Sequence, residues 1–287
     1  MGDWCIGVIG GSGLYVLDQL EDAQAQEIET PWGKPSGPVT TGCIGGVRFA
    51  FLPRHGPGHG LAPEGVPYRA NIAALKQLGA TDILAISAIG SLREEMAPGD
   101  FASVTQFIDR THGRPQSFFG NGLVAHVPFG DPVCPRLTGW AAAAAREAGA
   151  TVHEGACYLS MQGPQFSTRA ESRMYRNWGA DVIGMTALPE ARLAREAELP
   201  YALLGMVTDY DSWREGESVD VAEILQVMAA NADKARRTVE QLARILPGER
   251  SASPIDRVLD TALVTAPGAR DSKAVSRIEQ LVRRKIA

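Results

Sequence analysis

The chain of 287 residues holds four cysteines, Cys5, Cys43, Cys134 and Cys157, with no Cys-x-x-Cys spacing and no histidine at metal-ligand distance from them. That scarcity argues against a disulfide-stapled scaffold and against a structural zinc site, and fits reduced thiols in a cytoplasm. No segment approaches the ~20 consecutive apolar residues that a membrane-spanning helix needs. The first residues lack the basic flank and long apolar core of a signal peptide. Neither sign of charge dominates, since 33 acidic against 28 basic residues leave a formal charge of −5. No cluster of Lys and Arg is large enough for a phosphate-backbone footprint, so nucleic acid is excluded as the expected partner.

With 45% hydrophobic residues, the chain can bury a sizeable core. Apolar runs of strand length fall at Cys5 to Ile9, Val39 to Ile44, Val47 to Leu52, Ile83 to Ile86, Phe101 to Ile108, Gly155 to Met161, Val182 to Met185 and Tyr201 to Val207. Between them, helical spacing marks Tyr68 to Leu78, Pro135 to Ala148, Arg169 to Trp178, Glu190 to Glu198 and Val221 to Leu246. This alternation predicts a single α/β domain with helices flanking a central sheet. Gly45-Gly46 between two strand runs is a hairpin signal, so the sheet is expected to be mixed and not purely parallel. Composition shifts only near Pro247-Gly248. The expected division is a domain over 1–248 and a helical C-terminal tail over 249–287, packing on the same domain or on a neighbouring subunit.

Several strand runs end in groups that suit an anion. Gly10-Gly11-Ser12-Gly13 follows the first strand, where glycines let backbone N–H groups approach an anion and Ser12 adds a hydroxyl. Its spacing matches neither the dinucleotide fingerprint nor the Walker loop, and a tight turn explains it about as well. Arg54-His55 follows the strand ending at Leu52-Pro53, and a guanidinium grips phosphate through two parallel hydrogen bonds. Ser87-Ala88 and Thr186 are expected past two further strand ends. Thr208-Asp209-Tyr210-Asp211 then sets two carboxylates two residues apart after the run Tyr201 to Val207. Alone, such a pair is more readily a helix cap.

Taken together and in order, Gly10-Gly11-Ser12-Gly13-Leu14, Arg54-His55-Gly56, Tyr68-Arg69-Ala70-Asn71, Gly90-Ser91-Leu92, Asp109-Arg110-Thr111, Gly163-Pro164-Gln165-Phe166, Gly184-Met185-Thr186 and Thr208-Asp209-Tyr210-Asp211 resemble the 5'-methylthioadenosine phosphorylases of the trimeric purine nucleoside phosphorylase family. The resemblance runs from about Ile6 to Leu246. It implies a mixed, partly barrel-like sheet, a cytoplasmic homotrimer and no metal or organic cofactor. The implied reaction is attack of inorganic phosphate at C1' of 5'-methylthioadenosine, which releases adenine and leaves 5-methylthioribose 1-phosphate. By the same resemblance Ser12, Arg54, His55, Ser87, Ala88 and Thr186 hold phosphate. Asp209 assists purine N7, and Asp211 reads the 6-amino group or keeps Asp209 partly protonated. Met185 lies under the ribose, Phe166 faces the base, and Thr208 joins the nucleoside contacts. Val221 and Leu225 wall the 5' pocket, and His126 reaches it from a neighbouring subunit.

Two positions depart from relatives. Many members have Thr at Ser12, which keeps the hydroxyl. Human-type members have Asn at Gly184, so a side-chain amide contact is missing and adenine preference rests on the Asp pair. Enzymes for 6-oxopurines carry Asn where Asp209 stands. The nearest rival activities are phosphorolysis of 5'-methylthioinosine or other 6-oxopurine nucleosides, and of another 5'-substituted 5'-deoxyadenosine such as a 5'-halo compound. A nucleoside-binding or dinucleotide-binding protein lacks its Gly-x-Gly-x-x-Gly spacing here. A metal-dependent nucleoside hydrolase lacks its N-terminal aspartate cluster.

Overall fold

The structure is a computed structural model that describes residues 3–11, 19–214 and 221–286. Nine strands form one mixed sheet: β1 (Cys5–Gly10), β2 (Glu21–Gln26), β3 (Val39–Ile44), β4 (Val47–Pro53), β5 (Asp82–Ser91), β6 (Phe101–Asp109), β7 (Val152–Ser160), β8 (Val182–Gly184) and β9 (Tyr201–Asp209). Their order is β2-β3-β4-β1-β5-β8-β7-β6-β9, and β9 returns to pair with β5. The strands β5, β8, β7, β6 and β9 therefore close into a small barrel, and β1 to β4 extend from it as an open wing. β5 belongs to both. The mixed, partly barrel-like α/β sheet expected from the sequence is present, and its Gly45-Gly46 turn joins β3 to β4 with Ile44 opposite Val47. Both glycines have positive φ, 56° and 82°, a conformation that a side chain would strain.

Every residue of β1 is buried, because helix layers cover both faces of the sheet. On one side lie α1 (Tyr68–Gln77) and α4 (Ala187–Glu196), whose Ile72, Leu75, Leu193 and Ala194 pack with β-strand residues such as Ile83 and Leu203. On the other lie α2 (Pro135–Glu147) and α5 (Val221–Ile245), joined through Leu137, Ala141, Val239 and Leu242 to Phe49, Phe51 and Leu84. A third, smaller apolar cluster sits under α3 (Arg169–Asn177), where Tyr175 meets Leu159, Ile183 and Trp213. Thr168 and Glu171 cap that helix reciprocally.

β2 has no counterpart in the apolar pattern. Its sequence Glu-Asp-Ala-Gln-Ala-Gln is largely exposed, and it pairs with β3 across an irregularity between Glu21 and Gln24. Charge and a broken register at a sheet edge discourage further strands from adding there.

Past residue 248 the chain runs over a 3-10 segment, Pro254–Thr261, into α6 (Ser272–Val282). Ile278, Leu281, Val282 and Ile286 join the apolar layer of α1. Arg284 pairs with Glu198 at 2.5 Å and with Asp260 at 2.7 Å, and the Leu259 amide donates to the same Glu198. Among the described residues, no helix is long and apolar enough to cross a membrane.

Candidate active site

β1, β4, β5 and β9 run parallel in adjacent positions, so their carboxyl ends open on one side of the sheet. A cavity of about 500 Å³ lies there. It is lined by Gly11, Arg54, His55, Ser87, Ala88, Phe166, Met185, Thr186, Thr208, Asp209 and Asp211. Ligands of open parallel sheets collect at this edge, where loops supply the polar groups that a buried strand cannot. A second cleft, of about 540 Å³, lies beside Glu94, Arg173, Arg176, Trp213 and Arg214. There the guanidinium groups of Arg176 and Arg214 are engaged with Trp213, Tyr210 and Glu94.

At one end of the 500 Å³ cavity sits Arg54, just past β4 and only 2% exposed. Its Nε donates to Glu190 Oε2 at 2.8 Å and its Nη2 to Glu190 Oε1 at 3.0 Å. Nη1 and Nη2 also reach the carbonyls of Ile86 and Ile9. Tyr201 Oη donates to Glu190 Oε1 at 2.9 Å. Arg54 is therefore locked before any ligand arrives, and much of its charge is balanced by Glu190, where the sequence reading expected it to supply the fixed charge of a phosphate site.

His55 Nδ1 lies 2.8 Å from the Leu61 carbonyl. A carbonyl only accepts, so Nδ1 carries the hydrogen and Nε2 holds the lone pair. Burial drives the ring's pKa down to about 4, with the charges of Arg54 and His59 adding and the Leu61 carbonyl opposing. His55 is thus neutral at pH 7, and its Nε2 can accept from a protonated phosphate oxygen or a ribose hydroxyl.

At the other end, Asp209 closes β9 and Asp211 follows with φ 49°. Asp209 Oδ1 contacts Thr208 Oγ1 at 2.6 Å, and Oδ2 accepts from the Asp211 amide at 2.9 Å. Asp211 is 5% exposed, and its buried Oδ2 makes no well-formed hydrogen bond among the described residues, the Ser172 and Ser167 hydroxyls lying close by. Burial raises both carboxyls above the usual range; the Thr208 hydroxyl and the Asp211 amide oppose the rise at Asp209, and at Asp211 the Ser172 and Ser167 hydroxyls and the Ser212 amide oppose it while the Asp209 charge adds to it. Gly90 on β5 admits this pair, since a Cβ there would stand 3.2 Å from Asp209 Oδ2 and 3.4 Å from Asp211 Cβ. β5 accordingly touches Arg54 at Ile86 and the carboxylates at Gly90, four residues or about 13 Å apart along a strand.

Between the two ends the wall is apolar: Ile86, Ile89, Met161, Ile183, Met185, Met206, Ile224 and Met228. Gly184 needs its bare Cα. A Cβ at that position would lie 2.1 Å from Tyr158 Oη, so the Tyr158 phenol fills the space that a side chain at 184 would take.

Several expectations are altered. Val221 and Leu225 do not line the cavity; both are 57% exposed, and α5 instead turns Ile224 and Met228 inward. On a helix each residue is rotated by about 100°, so choosing the wrong one of two adjacent i, i+4 pairs moves the whole stripe outward. Ser87 and Ala88 line the cavity, yet they lie within β5 and not past its end, because pairing with β9 as far as Gly90, and with β8 at Gly90 and Ser91, carries the strand on to Ser91. Phe166 stands at the mouth, 45% exposed. His126 lies away from this chain's own cavity, exposed, with its amide bonded to the Ala262 carbonyl. Ser12 falls outside the described residues. Sequence reasoning missed Glu190, whose signal was a lone carboxylate on the inward face of Ala-Leu-Pro-Glu-Ala. It also missed Met161, Ile224 and Met228, apolar residues that nothing in a pattern separates from core. Among the described residues, no three His, Cys, Asp or Glu side chains gather as a metal site.

Residues 5–244 match the model of the phosphorylase superfamily. The S-methyl-5'-thioadenosine phosphorylase of Cereibacter sphaeroides is 56% identical over 97% of both chains, and that of Bradyrhizobium diazoefficiens is 51% identical over 97% of both. A methylthioadenosine phosphorylase from an Antarctic soil metagenomic library superposes with TM-score 0.92 at 44% identity, covering 98% of this chain and 99% of that one. The Schistosoma mansoni methylthioadenosine phosphorylase, solved with adenine, superposes with TM-score 0.81 at 34% identity over 98% of both chains. Sequence match, fold and the opening of the parallel strand ends agree, and this chain belongs to the phosphorylase superfamily.

Proposed function

We propose that the protein is a pentosyltransferase that cleaves 5'-methylthioadenosine with inorganic phosphate, giving adenine and 5-methylthioribose 1-phosphate. One observation carries the reading: a single strand, β5, touches the preorganised Arg54 at Ile86 and a pair of buried carboxyls at Gly90, with a thioether-rich wall between them. Breaking an N-glycosidic bond builds positive charge on the ribose and negative charge on the purine, so the two ends must differ in this way.

Phosphate sits against Arg54, Ser87, Ala88 and Thr186, with Ser12 completing the set by resemblance. Arg54 is held by Glu190, so no reorganisation is needed when phosphate enters. His55 Nε2 accepts from phosphate or ribose hydroxyl. Asp209 donates a proton toward purine N7: burial raises its carboxyl above the usual range and favours the protonated form, against the Thr208 hydroxyl, which donates to Oδ1 at 2.6 Å. Asp211 Oδ2, which makes no well-formed hydrogen bond among the described residues, is an acceptor for the 6-amino group, which a 6-oxopurine lacks. Met185 underlies the ribose, Phe166 covers the base, and Ile224 with Met228 meets the 5' methylthio group. Phosphate is a co-substrate; the chemistry described calls on no metal or organic cofactor.

A homotrimer suits two exposed apolar surfaces of different make-up. One comprises Phe166, Val221 and Leu225 at the cavity mouth; the other comprises Val124 and Val264 beside His126, joined by the Val264 amide donating to Val124. Unlike patches that pair head to tail close into a ring, which would bring His126 of one copy over the mouth of the next. The free thiols fit a cytoplasmic enzyme.

The test is adenine release from 5'-methylthioadenosine with and without phosphate, beside 5'-methylthioinosine and 5'-chloro-5'-deoxyadenosine. Phosphate-dependent cleavage favouring the methylthio substrate is expected. Preference for the inosine analogue would overturn the assignment of the Asp pair, and cleavage without phosphate would overturn the phosphorylase reading.

A further inference from the structure

Behind the phosphate end lies a buried ionic group that pairing does not balance. Arg54 and Glu190 are 2% and 1% exposed and take each other's charge. Arg114, beyond β6, is 5% exposed and has a different set of partners. Its Nη1 donates to the carbonyls of Met185 at 2.6 Å and Leu188 at 3.0 Å and to Tyr68 Oη at 3.2 Å, and its Nη2 donates to the Gln162 carbonyl at 2.6 Å. Among the described residues, no carboxylate lies within ion-pair distance of Arg114. The charges of Arg114, Glu190 and Arg54 all act on the Tyr68 phenol, which places the three in one neighbourhood. Among the described residues, two guanidiniums and one carboxylate leave that neighbourhood with one positive charge.

Burying a charge without a partner is expensive, and neutral carbonyls repay only part of it. An anion entering the adjacent cavity would complete the count. The geometry adds a second link. Arg114 grips the carbonyl of Met185, and the N–H of Thr186 belongs to the same planar peptide, pointing the opposite way. A guanidinium on the oxygen fixes the plane of that peptide, and with it the position from which the Thr186 side chain projects. Thr186, 4% exposed, lines the cavity.

We propose that Arg114 is a positioning residue of the phosphate subsite: it fixes the Met185-Thr186 peptide from behind and supplies the buried positive charge that phosphate neutralises. This rests on reading the Thr186 end as the place where phosphate binds. Arg114 is not expected to touch substrate itself.

The experiment compares wild type, Arg114→Lys and Arg114→Gln in steady-state assays that vary phosphate and 5'-methylthioadenosine separately. Melting temperatures are measured with phosphate alone and with adenine alone. For Arg114→Gln the phosphate KM is expected to rise roughly tenfold or more, the scale of one charge-assisted hydrogen bond, while the nucleoside KM changes little. The stabilisation by phosphate should be lost and that by adenine retained. Arg114→Lys, which keeps the charge without the fork, should fall between the two, and it carries the test if the Gln variant does not fold. An unchanged phosphate KM, or equal rises in both KM values, would overturn the proposal while leaving the phosphorylase reading intact. Absence of phosphate dependence in the wild type would overturn both.

Discussion

The two ends of the cavity are built on opposite terms. Around Arg54, the guanidinium, its carboxylate and the Tyr201 hydroxyl are tied together before a ligand binds, and almost nothing is exposed. Around the Asp pair, Asp211 Oδ2 makes no well-formed hydrogen bond among the described residues, Phe166 stands half in solvent, and the outer face of α5 shows Val221 and Leu225 to water. One end is finished within the chain, and the other is left for the nucleoside and, in a trimer, a neighbour to finish. Phosphate is the same in every turnover and rewards a rigid cradle, whereas purine and 5' group are what selectivity must sense.

The strongest challenge to that division is Asp209→Asn. Steady-state kinetics should show kcat on 5'-methylthioadenosine falling by about 10²- to 10⁴-fold, the usual worth of a positioned acid, with the phosphate KM unchanged. Discrimination against 5'-methylthioinosine should narrow, because an amide can donate to O6. A parallel rise in phosphate KM would show that the ends are not independent.

Glu190→Ala attacks the finished end. It strips Arg54 of its counter-charge inside the fold and should lower stability by about 3–5 kcal/mol in urea denaturation. A loss below about 1 kcal/mol would mean that water reaches the pair. A smaller effect follows from crowding: Gly184→Ala drives a Cβ to 2.1 Å from Tyr158 Oη and should cost about 1–3 kcal/mol. The double variant with Tyr158→Leu should recover part of it, which a thermal melt can read.

The ends also titrate in opposite senses. His55 binds its proton only near pH 4 in the native state, whereas an unfolded histidine does so near 6.5, so its share of stability falls as pH drops across that window. The buried aspartates are raised, so their share is complete below the unfolded carboxyl pKa and is lost as pH climbs through the shifted values. Melting curves across pH should lose the first slope in His55→Gln and the second in Asp209→Asn. The smallest change is expected from Leu225→Ser. On an exposed face it should alter single-chain stability by no more than about 0.5 kcal/mol, so a drop in mass by light scattering would locate a subunit contact there.

The strand and helix pattern was readable because β1, β4, β5 and β9 are apolar runs whose ends carry glycine, arginine or aspartate in a chain otherwise short of such pairings. β2 was not readable, since its residues are chosen for solvent and its pairing is made by the backbone. The polar site residues could be picked out because Arg54, Thr186 and Asp209 interrupt apolar sequence. The apolar wall could not: Ile224 and Val221 look alike in a sequence, and only the rotation of α5 distinguishes them. Arg114 and Glu190 escaped for another reason. Their work is done on Met185, Leu188 and Arg54, partners 71, 74 and 136 residues distant, which no local pattern reports.

β5 is hydrogen-bonded to β1 in the wing and to β8 and β9 in the barrel. A strand shared by two substructures cannot be released by one of them alone. Wing and barrel should therefore open together, and the amides of Leu84 to Ile89 and of Ala202 to Val207 in the β5–β9 ladder should be among the slowest in the molecule to exchange with deuterium. Heat would then abolish activity and fold at one temperature, without a partly opened form that still binds one substrate and not the other.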